Sequence, residues 1–256
     1  MPRMTAKIVM VAVVLLTAGA ASFGAEETHH FSYSGATGPA KWGSLEPDYS
    51  ACALGKTQSP IDIKEDAAKP ADLPPIRFDY KPASLKMIDN GHTIEINYEP
   101  GSFITVGDKR YELLRFHFHK PSEEKINGKS ADMVAHLVHR SADGQLAVVA
   151  VLLQSGPINP LIRTLWAHLP HLKEKGTETV FDTVSINAAD LLPQDRGYYT
   201  YGGSLTTPPC SEGVTWFVLK GRTSISADEI ARFARLYPMN ARPVQALNGR
   251  EIEVSR

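Results

Sequence analysis

The sequence predicts a single domain dominated by β-strands, with a few short helices at its periphery. Short runs rich in β-branched and aromatic residues recur between Gly, Pro and Asn, and they are HTIEINYE, SFITVG, RYELLRFHFH, DMVAHLVHR, LAVVAVLL and VTWFVLKG. The 18 prolines mark many turns, and no repeat or obvious linker divides residues 26–256. With 256 residues, 43% of them hydrophobic, the chain can form one domain with a sizeable core.

The charge of the chain argues against a nucleic-acid partner. The formal net charge is −1, and Lys and Arg form no basic stripe anywhere along the sequence. Because proteins that bind nucleic acid need such a positive surface, the sequence predicts no nucleic-acid binding.

The N-terminus has the pattern of a secretory signal peptide. Arg3 and Lys7 precede the apolar run 8–16, and the small residues 18–21 follow it. The run is shorter than the ~20 apolar residues that a membrane span needs. We therefore expect residues 1–25 to be removed by cleavage between about residues 20 and 26, leaving a mature protein without a membrane span. The periplasm is the expected location, with secretion outside the cell as the alternative.

Export gives meaning to the two cysteines. Cys52 and Cys210 are the only cysteines of the chain, and an oxidising compartment favours their pairing. The sequence therefore predicts a disulfide between them, with two unpaired buried thiols as the alternative.

Two helices have recognisable starts. Asn159-Pro160 begins one that carries apolar residues at helical spacing, with proline at its first position. Ser226 and Glu229 form a capping box at the start of a second one.

Histidines line one face of two predicted strands. Because alternate residues of a strand share a face, the first strand has one face made by Arg115, His117 and His119, and a core face made by Leu114, Phe116 and Phe118. The second strand has one face made by Val134, His136 and Val138, and another made by Ala135, Leu137 and His139. Asn127-Gly128 is a strong hairpin signal between the two strands. We therefore expect His136 to approach His117 and His119.

Three neutral imidazoles without a thiolate or carboxylate ligand suit Zn²⁺ with an open fourth position. Other divalent metals also bind imidazole, so the pattern alone leaves the identity of the metal open.

The same stretches resemble the α-class carbonic anhydrases, specifically the exported bacterial ones. The resemblance runs from about His29 to Val254, and it is carried by QSPIDI (58–63), NGHT (90–93), FHFH (116–119), PSE (121–123), AHLVH (135–139), GSLTTPPC (203–210), VTW (214–216) and RPVQ (242–245). It implies a mainly β, mixed α+β fold, with a single domain around a large twisted, mostly antiparallel sheet and short peripheral helices. It also implies a carbonic anhydrase that hydrates CO₂ reversibly to bicarbonate and a proton by zinc-bound hydroxide, with His117, His119 and His136 as zinc ligands.

The resemblance implies roles for further residues. Thr206 would orient the zinc-bound oxygen, Glu123 would fix the Thr206 hydroxyl, and Thr207 would help to place bicarbonate. His92 would carry protons from the zinc water to solvent. An apolar wall for CO₂ would be formed by Val138, Val148, Leu205 and Trp216.

The chain departs from the family at positions that usually support the zinc ligands. Arg115 and Val134 stand where relatives usually carry a glutamine and a glutamate that accept hydrogen bonds from ligand histidines. Valine and arginine offer no acceptor, so we expect weaker zinc binding. We hypothesise that Arg115 pairs with Glu95 and that the pair relays an acceptor to His117. Lys120 and Glu124 resemble variation at the rim or surface, without a role.

Two other functions remain to be weighed. A catalytically weakened or silent relative could bind a ligand through the same fold, and a zinc-storage protein could use the same histidines. Silent relatives usually lose a zinc histidine, whereas this chain keeps all three. The expected partners are the small molecules CO₂ and bicarbonate, and the expected oligomeric state is either a monomer or a homodimer.

Overall fold

A computed structural model describes residues 31–256, and it confirms one domain built mainly of β-strands. The signal peptide predicted for residues 1–25 lies outside the described residues, so it stays a prediction. No helix in the described part of the chain is long and apolar enough to cross a membrane.

The described chain contains fifteen strands and three α-helices. The strands are β1 (Asp62–Ile63), β2 (Lys69–Ala71), β3 (Arg77–Asp79), β4 (Ala83–Asp89), β5 (Ile94–Asn97), β6 (Phe103–Val106), β7 (Lys109–His119), β8 (Lys125–Ile126), β9 (Lys129–Ser130), β10 (Met133–Ser141), β11 (Leu146–Ser155), β12 (Thr179–Ile186), β13 (Tyr198–Ser204), β14 (Glu212–Ile225) and β15 (Glu253–Ser255). The helices are α1 (Ala51–Leu54), α2 (Pro160–His168) and α3 (Ala227–Leu236). Short 3₁₀ segments cover Gly35–Thr37, Pro39–Ser44, Pro47–Tyr49, Leu169–His171 and Ala188–Leu191.

Most of these strands form one twelve-stranded sheet. Ten of them follow the order β12-β4-β5-β7-β10-β11-β14-β13-β15-β2, and the other two are β6, which pairs with β7, and β3, which pairs with β6. In this sheet β11 pairs with β14 in parallel and β15 with β2 in parallel, whereas the other pairings are antiparallel. The prediction of a large, mostly antiparallel sheet is confirmed. Strands β7 and β10 lie side by side near its middle, as expected. The Asn127-Gly128 turn does not join them directly, because it closes the short hairpin of β8 and β9 in a separate sheet with β1.

The two faces of β7 and β10 bury different sets of side chains. One face carries Phe116, Phe118, Ala135 and Leu137 into the larger apolar core. The opposite face carries Val134 and Val138 into a smaller apolar cluster, on the same side as the histidines. The alternation read from the sequence is therefore confirmed for this part of both strands.

A bulge changes the alternation further along. The pairing of β7 with β10 shifts between Val138, which faces Arg115, and His139, which faces Leu113. Because a bulge inserts one extra residue, it reverses the faces beyond it. Leu113 is consequently buried in the larger core, and Leu114 is only half-buried. The prediction that Leu114 is a core residue is wrong for this reason.

Helices α2 and α3 begin as their sequences indicate. The Asn159 side chain accepts a hydrogen bond from the N–H of Ile162 at 3.0 Å, and Ser226 with Glu229 forms the predicted capping box. Trp166 of α2 and Phe233 of α3 are both in the larger core. The two helices therefore cover the face of the sheet opposite to the histidines.

The predicted disulfide between Cys52 and Cys210 is present. It joins α1 to the loop before β14 across 158 residues of chain, and both cysteines pack against Trp42. The bridge thereby fastens the N-terminal segment to the loop that also carries Thr206 and Thr207.

His139, on the core face of β10, makes the stability of the fold sensitive to acid. Its side chain is fully buried, its Nε2 lies 2.8 Å from the Tyr80 hydroxyl, and burial lowers its pKa from 6.5 to about 3. Below pH 6.5 the unfolded chain takes up a proton at this site and the folded chain does not. We expect the free energy of unfolding of the metal-free protein to fall by about 3 kcal/mol from this residue alone between pH 7 and pH 4.

Urea denaturation of the metal-free protein across this pH range checks the prediction. His139→Gln should flatten the acid side of the stability curve, although it lowers stability at pH 7. The matched control is His171→Gln, because His171 is exposed. If the free energy of unfolding fell equally with decreasing pH in His139→Gln and in the unmodified protein, the prediction would be wrong.

Candidate metal centre

Three histidines meet on one face of the central strands. His117 and His119 share a face of β7, and His136 of β10 is the direct cross-strand partner of His117. One ring nitrogen from each lies within 4.8 Å of the others. The predicted convergence of the three histidines is confirmed, and their burial differs: His119 and His136 are 1% exposed, whereas His117 is half-buried.

The hydrogen bonds of His119 leave one nitrogen for a metal. Its Nδ1 donates to the Asn240 carbonyl oxygen at 2.7 Å. Its Nε2 is buried and has no hydrogen-bond partner among residues 31–256. A buried ring nitrogen without a partner is costly, and coordination of a metal would satisfy it.

His136 is held in the opposite tautomer. Its Nε2 lies 3.0 Å and 3.3 Å from the two carboxylate oxygens of Glu124, so Nε2 carries the proton. The Nδ1 lone pair is left for the cluster. Acceptors that bind the remote N–H of a histidine are what typically fixes a metal ligand.

Burial keeps two of the three rings neutral. The pKa values of His117 and His119 lie well below 6.5, chiefly because burial penalises the charged form and also because neighbouring histidines repel it. Burial also acts on His136, but the Glu124 carboxylate outweighs it and raises the pKa of that ring. A bound metal displaces the proton of such a histidine.

These residues fit Zn²⁺. The donor set is three imidazoles on rigid strands, one with an orphaned buried nitrogen and one with its tautomer fixed by a carboxylate. Such a set leaves the fourth tetrahedral position open, as in catalytic zinc sites.

Glu124 corrects one interpretation of the sequence. It was expected at the rim without a role, yet it is 0% exposed and accepts the hydrogen bond of His136. Val134, two residues before His136 on β10, is also buried and offers no acceptor. The support that Val134 cannot give is supplied from the loop after β7, so His136 is not left unsupported.

Arg115 and Glu95 form the hypothesised ion pair, with Nε 3.2 Å from Oε2. Burial raises the pKa of Glu95, and Arg115 partly offsets this effect. The hypothesised relay to His117 is wrong, because Nδ1 of His117 is buried without a hydrogen-bond partner in the described chain. His117 is therefore the candidate ligand with the least support.

Glu123 lies directly behind the histidines. Its Oε1 accepts a hydrogen bond from the backbone N–H of Arg242 at 2.7 Å, and its Oε2 lies 3.8 Å from Nδ1 of His136. Burial raises the pKa of Glu123 to about 7, against the lowering effect of His136 and of a hydrogen bond from Thr206. The second carboxylate oxygen, Oε2, has no hydrogen-bond partner among residues 31–256.

An apolar surface adjoins the cluster. Val138 faces Val148 across β10 and β11, and Val148 faces Trp216 across β11 and β14. All three are almost fully buried in the smaller cluster, with Leu205 packed against it. The rings of Trp216 and His136 meet edge to face at 5.0 Å between centroids. The four residues predicted as a wall are thus brought together beside the histidines.

His92 lies on the turn between β4 and β5, which carries Asn90. The Asn90 side chain accepts hydrogen bonds from the N–H groups of His92 and Thr93, and the His92 ring stacks on Phe31 at 3.8 Å between centroids. The Asn240 amide donates to the His92 carbonyl oxygen at 2.9 Å. Asn240, which the sequence did not single out, thereby ties this turn to His119.

The comparisons with known proteins agree with one another. The family model described as eukaryotic-type carbonic anhydrase matches residues 37–256. A protein named carbonic anhydrase from Nostoc sp. (strain PCC 7120) is 42% identical over 229 residues, which are 88% of this chain and 85% of that protein. The solved α-carbonic anhydrase of Thermovibrio ammonificans, in complex with the inhibitor sulfanilamide, has a TM-score of 0.84 at 40% identity and covers 89% of this chain and 99% of its own. A structure of dioscorin complexed with ascorbate has a TM-score of 0.82 at 29% identity, covering 88% and 97%.

Proposed function

The chain belongs to the family of eukaryotic-type carbonic anhydrases, and from that premise we propose that it hydrates CO₂ reversibly to bicarbonate and a proton at a zinc ion held by His117, His119 and His136. The observation that carries the proposal is the convergence of these three rings within 4.8 Å, with a buried nitrogen of His119 left unsatisfied. Zinc in such a site acts as a Lewis acid that lowers the pKa of a coordinated water to about 7, a value known from carbonic anhydrases themselves.

Glu123 and Thr206 orient the nucleophile. Glu123 is fixed by the N–H of Arg242, and its carboxylate accepts the Thr206 hydrogen. With that hydrogen engaged, the Thr206 oxygen is left as an acceptor. It therefore selects a nucleophile that carries a hydrogen and turns the lone pair of that nucleophile toward CO₂.

The apolar residues bind the substrate CO₂, and Thr207 binds the product bicarbonate. CO₂ is apolar, and Val138, Val148 and Trp216 offer it a dry surface beside the histidines, with Leu205 at the edge. Thr207 is half-buried next to Thr206 and provides a hydroxyl for bicarbonate. Because bicarbonate is more polar than CO₂, it binds this apolar surface less well and leaves readily.

His92 carries the proton to solvent. It lies on a half-buried turn tied to His119 through Asn240, and an unperturbed histidine titrates near pH 6.5. We expect His92→Ala to lower kcat about 10-fold or more in weak buffer and to leave kcat/KM nearly unchanged, because general acid–base groups typically contribute 10²–10⁴-fold.

Stopped-flow CO₂ hydration, with and without added imidazole, checks the shuttle. Imidazole should restore most of the lost kcat, since it replaces the missing side chain. His168→Ala is the matched control, because His168 lies on the opposite face of the sheet with α2. A His92→Ala protein with the same kcat in weak buffer would contradict the shuttle.

The metal site is tested by reconstitution. Protein stripped with a chelator should bind one zinc ion per chain, and CO₂ hydration should rise in proportion to the zinc bound. A chain that binds no zinc, or whose hydration rate does not follow zinc, would refute the proposed function.

The second candidate is a silent relative that binds a small molecule. It is favoured by the likeness to dioscorin, whose structure is a complex with ascorbate. Against it stand the complete set of three histidines and the Glu123–Thr206 pair, which a binding protein does not need. A zinc-loaded chain without hydration activity would favour this candidate.

The proposed location is the periplasm. The basic and apolar pattern of residues 1–25 supports it, and so does the disulfide between Cys52 and Cys210, since disulfides persist in oxidising compartments. N-terminal sequencing of protein from a periplasmic extract tests this, and the first residue should fall between about 20 and 26.

A further inference from the structure

We propose that Glu124 is a positioning residue that fixes the ring of His136 for zinc, and that it does so from the loop after β7. The inference rests on the proposed function, because it assumes that His136 binds zinc. It goes beyond that function because it names a side chain outside the ligand-bearing strands that strengthens zinc binding.

The contact between Glu124 and His136 is close and dry. Both carboxylate oxygens of Glu124 lie within 3.3 Å of Nε2 of His136, and the two residues are 0% and 1% exposed. A carboxylate in this position holds the proton on Nε2, orients the ring and increases the electron density on Nδ1. Each of these effects strengthens the bond from Nδ1 to a metal.

The strand that carries His136 cannot supply this acceptor. Val134 is the preceding residue on the same face of β10, is 0% exposed and has an apolar side chain. Glu124 reaches Nε2 of His136 from the neighbouring loop and gives the ring the acceptor that Val134 does not offer. Glu124 therefore accepts the hydrogen bond of His136, whereas Val134 contributes apolar packing on the same strand face.

Stability alone does not explain a carboxylate at this place. Burying an ion is costly, and an apolar residue of the same volume at that place often leaves a protein as stable or more stable. Glu123 is the adjacent residue and is also buried, so two carboxylates lie close together away from water. The cost of two neighbouring buried carboxylates is offset if both act on the metal centre.

Hydrogen bonds fix the backbone of the loop that carries Glu124. The Ser122 hydroxyl accepts from the N–H of Ala131 at 2.8 Å and donates to the Glu124 carbonyl oxygen at 2.8 Å. After Glu124, the N–H of Lys125 donates to the Ile61 carbonyl oxygen at 3.2 Å. The backbone of Glu124 is thus fixed on both sides, so its side chain is preorganised for His136.

The test compares zinc affinity, measured by competition with a chelator, in Glu124→Gln and Glu124→Leu. Glu124→Leu removes the acceptor at similar volume, and its zinc dissociation constant should rise 10–100-fold. Glu124→Gln keeps an acceptor without charge, and the rise should be smaller. The metal-free Glu124→Leu protein should be at least as stable to urea as the metal-free unmodified protein.

A second-site change and a control make the test specific. Adding Val134→Glu to Glu124→Leu returns an acceptor to the same ring and should recover part of the lost zinc affinity. Glu229→Gln is the matched control, because Glu229 is a buried carboxylate that caps α3 on the opposite face of the sheet. Its zinc affinity should equal that of the unmodified protein.

The outcomes separate this inference from the proposed function. Tight zinc binding by the unmodified chain, with unchanged affinity in Glu124→Leu, would overturn the inference and leave the function standing. A loss of metal-free stability with no loss of zinc affinity would show a structural role and overturn it as well, as would the absence of any recovery with Val134→Glu. Failure of the unmodified chain to bind zinc would overturn both.

Discussion

Replacing His119 by alanine should abolish stoichiometric zinc binding and reduce CO₂ hydration to the rate without enzyme. His119 is 1% exposed, and its Nε2 is the buried ring nitrogen that lacks a partner in residues 31–256. A catalytic zinc site of this kind has three protein ligands, and a pair of histidines cannot fix its geometry. Of the changes considered, this one has the largest expected effect on activity.

Metal analysis and stopped-flow hydration of the purified variant check this expectation. The matched control is His171→Ala, which removes an exposed histidine and should keep zinc and activity. Circular dichroism and urea denaturation show that the variant is folded. A folded His119→Ala protein that still hydrates CO₂ at the unmodified rate would exclude His119 as a ligand.

The second large effect is expected for Thr206→Val, a change of nearly equal volume that removes only the hydroxyl. Zinc should remain bound, because Thr206 contacts Glu123 and is not part of the histidine cluster. We expect kcat/KM to fall about 100-fold, since loss of orientation at the reacting atoms has an effect of this size. Glu123→Gln should give a loss in the same direction, because an amide can donate to the Thr206 oxygen and turn its hydrogen toward the nucleophile.

Steady-state hydration kinetics of zinc-loaded variants measure this effect. Thr164→Val is a suitable control, since Thr164 is a half-buried residue of α2 whose hydroxyl donates to the Pro160 carbonyl oxygen within its own helix. Additive losses in the double variant Glu123→Gln/Thr206→Val would contradict the idea that the two residues act as one unit. A loss in the double variant close to that of either single change is the expected result.

The local pattern of the chain predicted much of the site. Alternation along β7 and β10 placed His117, His119 and His136 on one face. Asn127-Gly128 predicted a hairpin, and it forms the turn of the short β8–β9 hairpin within the connection between the two strands. These signals are carried by residues close together in sequence, so they can be read without knowing the fold. The capping residues Asn159 and Ser226 are of the same kind.

What the sequence did not reveal depends on contacts between distant segments. Asn240 meets His119 across 121 residues, and nothing near Asn240 in sequence marks it as a partner. Glu124 resembled a loop residue in a polar stretch, and only the path of that loop past β10 shows that it is buried against His136. The bulge after Val138 likewise has no clear signature in the sequence, so Leu114 was assigned to the wrong face.

The ion pair between Arg115 and Glu95 lies between these two cases. The opposite charges of the two residues suggested the pair, and the 3.2 Å contact confirms it. Whether the pair also reached His117 depended on side-chain positions that a sequence does not specify, and Nδ1 of His117 has no hydrogen bond within the described chain.

The most direct test of the account is the initial rate of CO₂ hydration by purified mature protein that contains one zinc ion per chain. Stopped-flow measurement with a pH indicator gives this rate, and a sample stripped of zinc provides the background. We expect a rate far above background that disappears when zinc is stripped and returns when zinc is added. A fully zinc-loaded protein with no rate above background would contradict the proposed function.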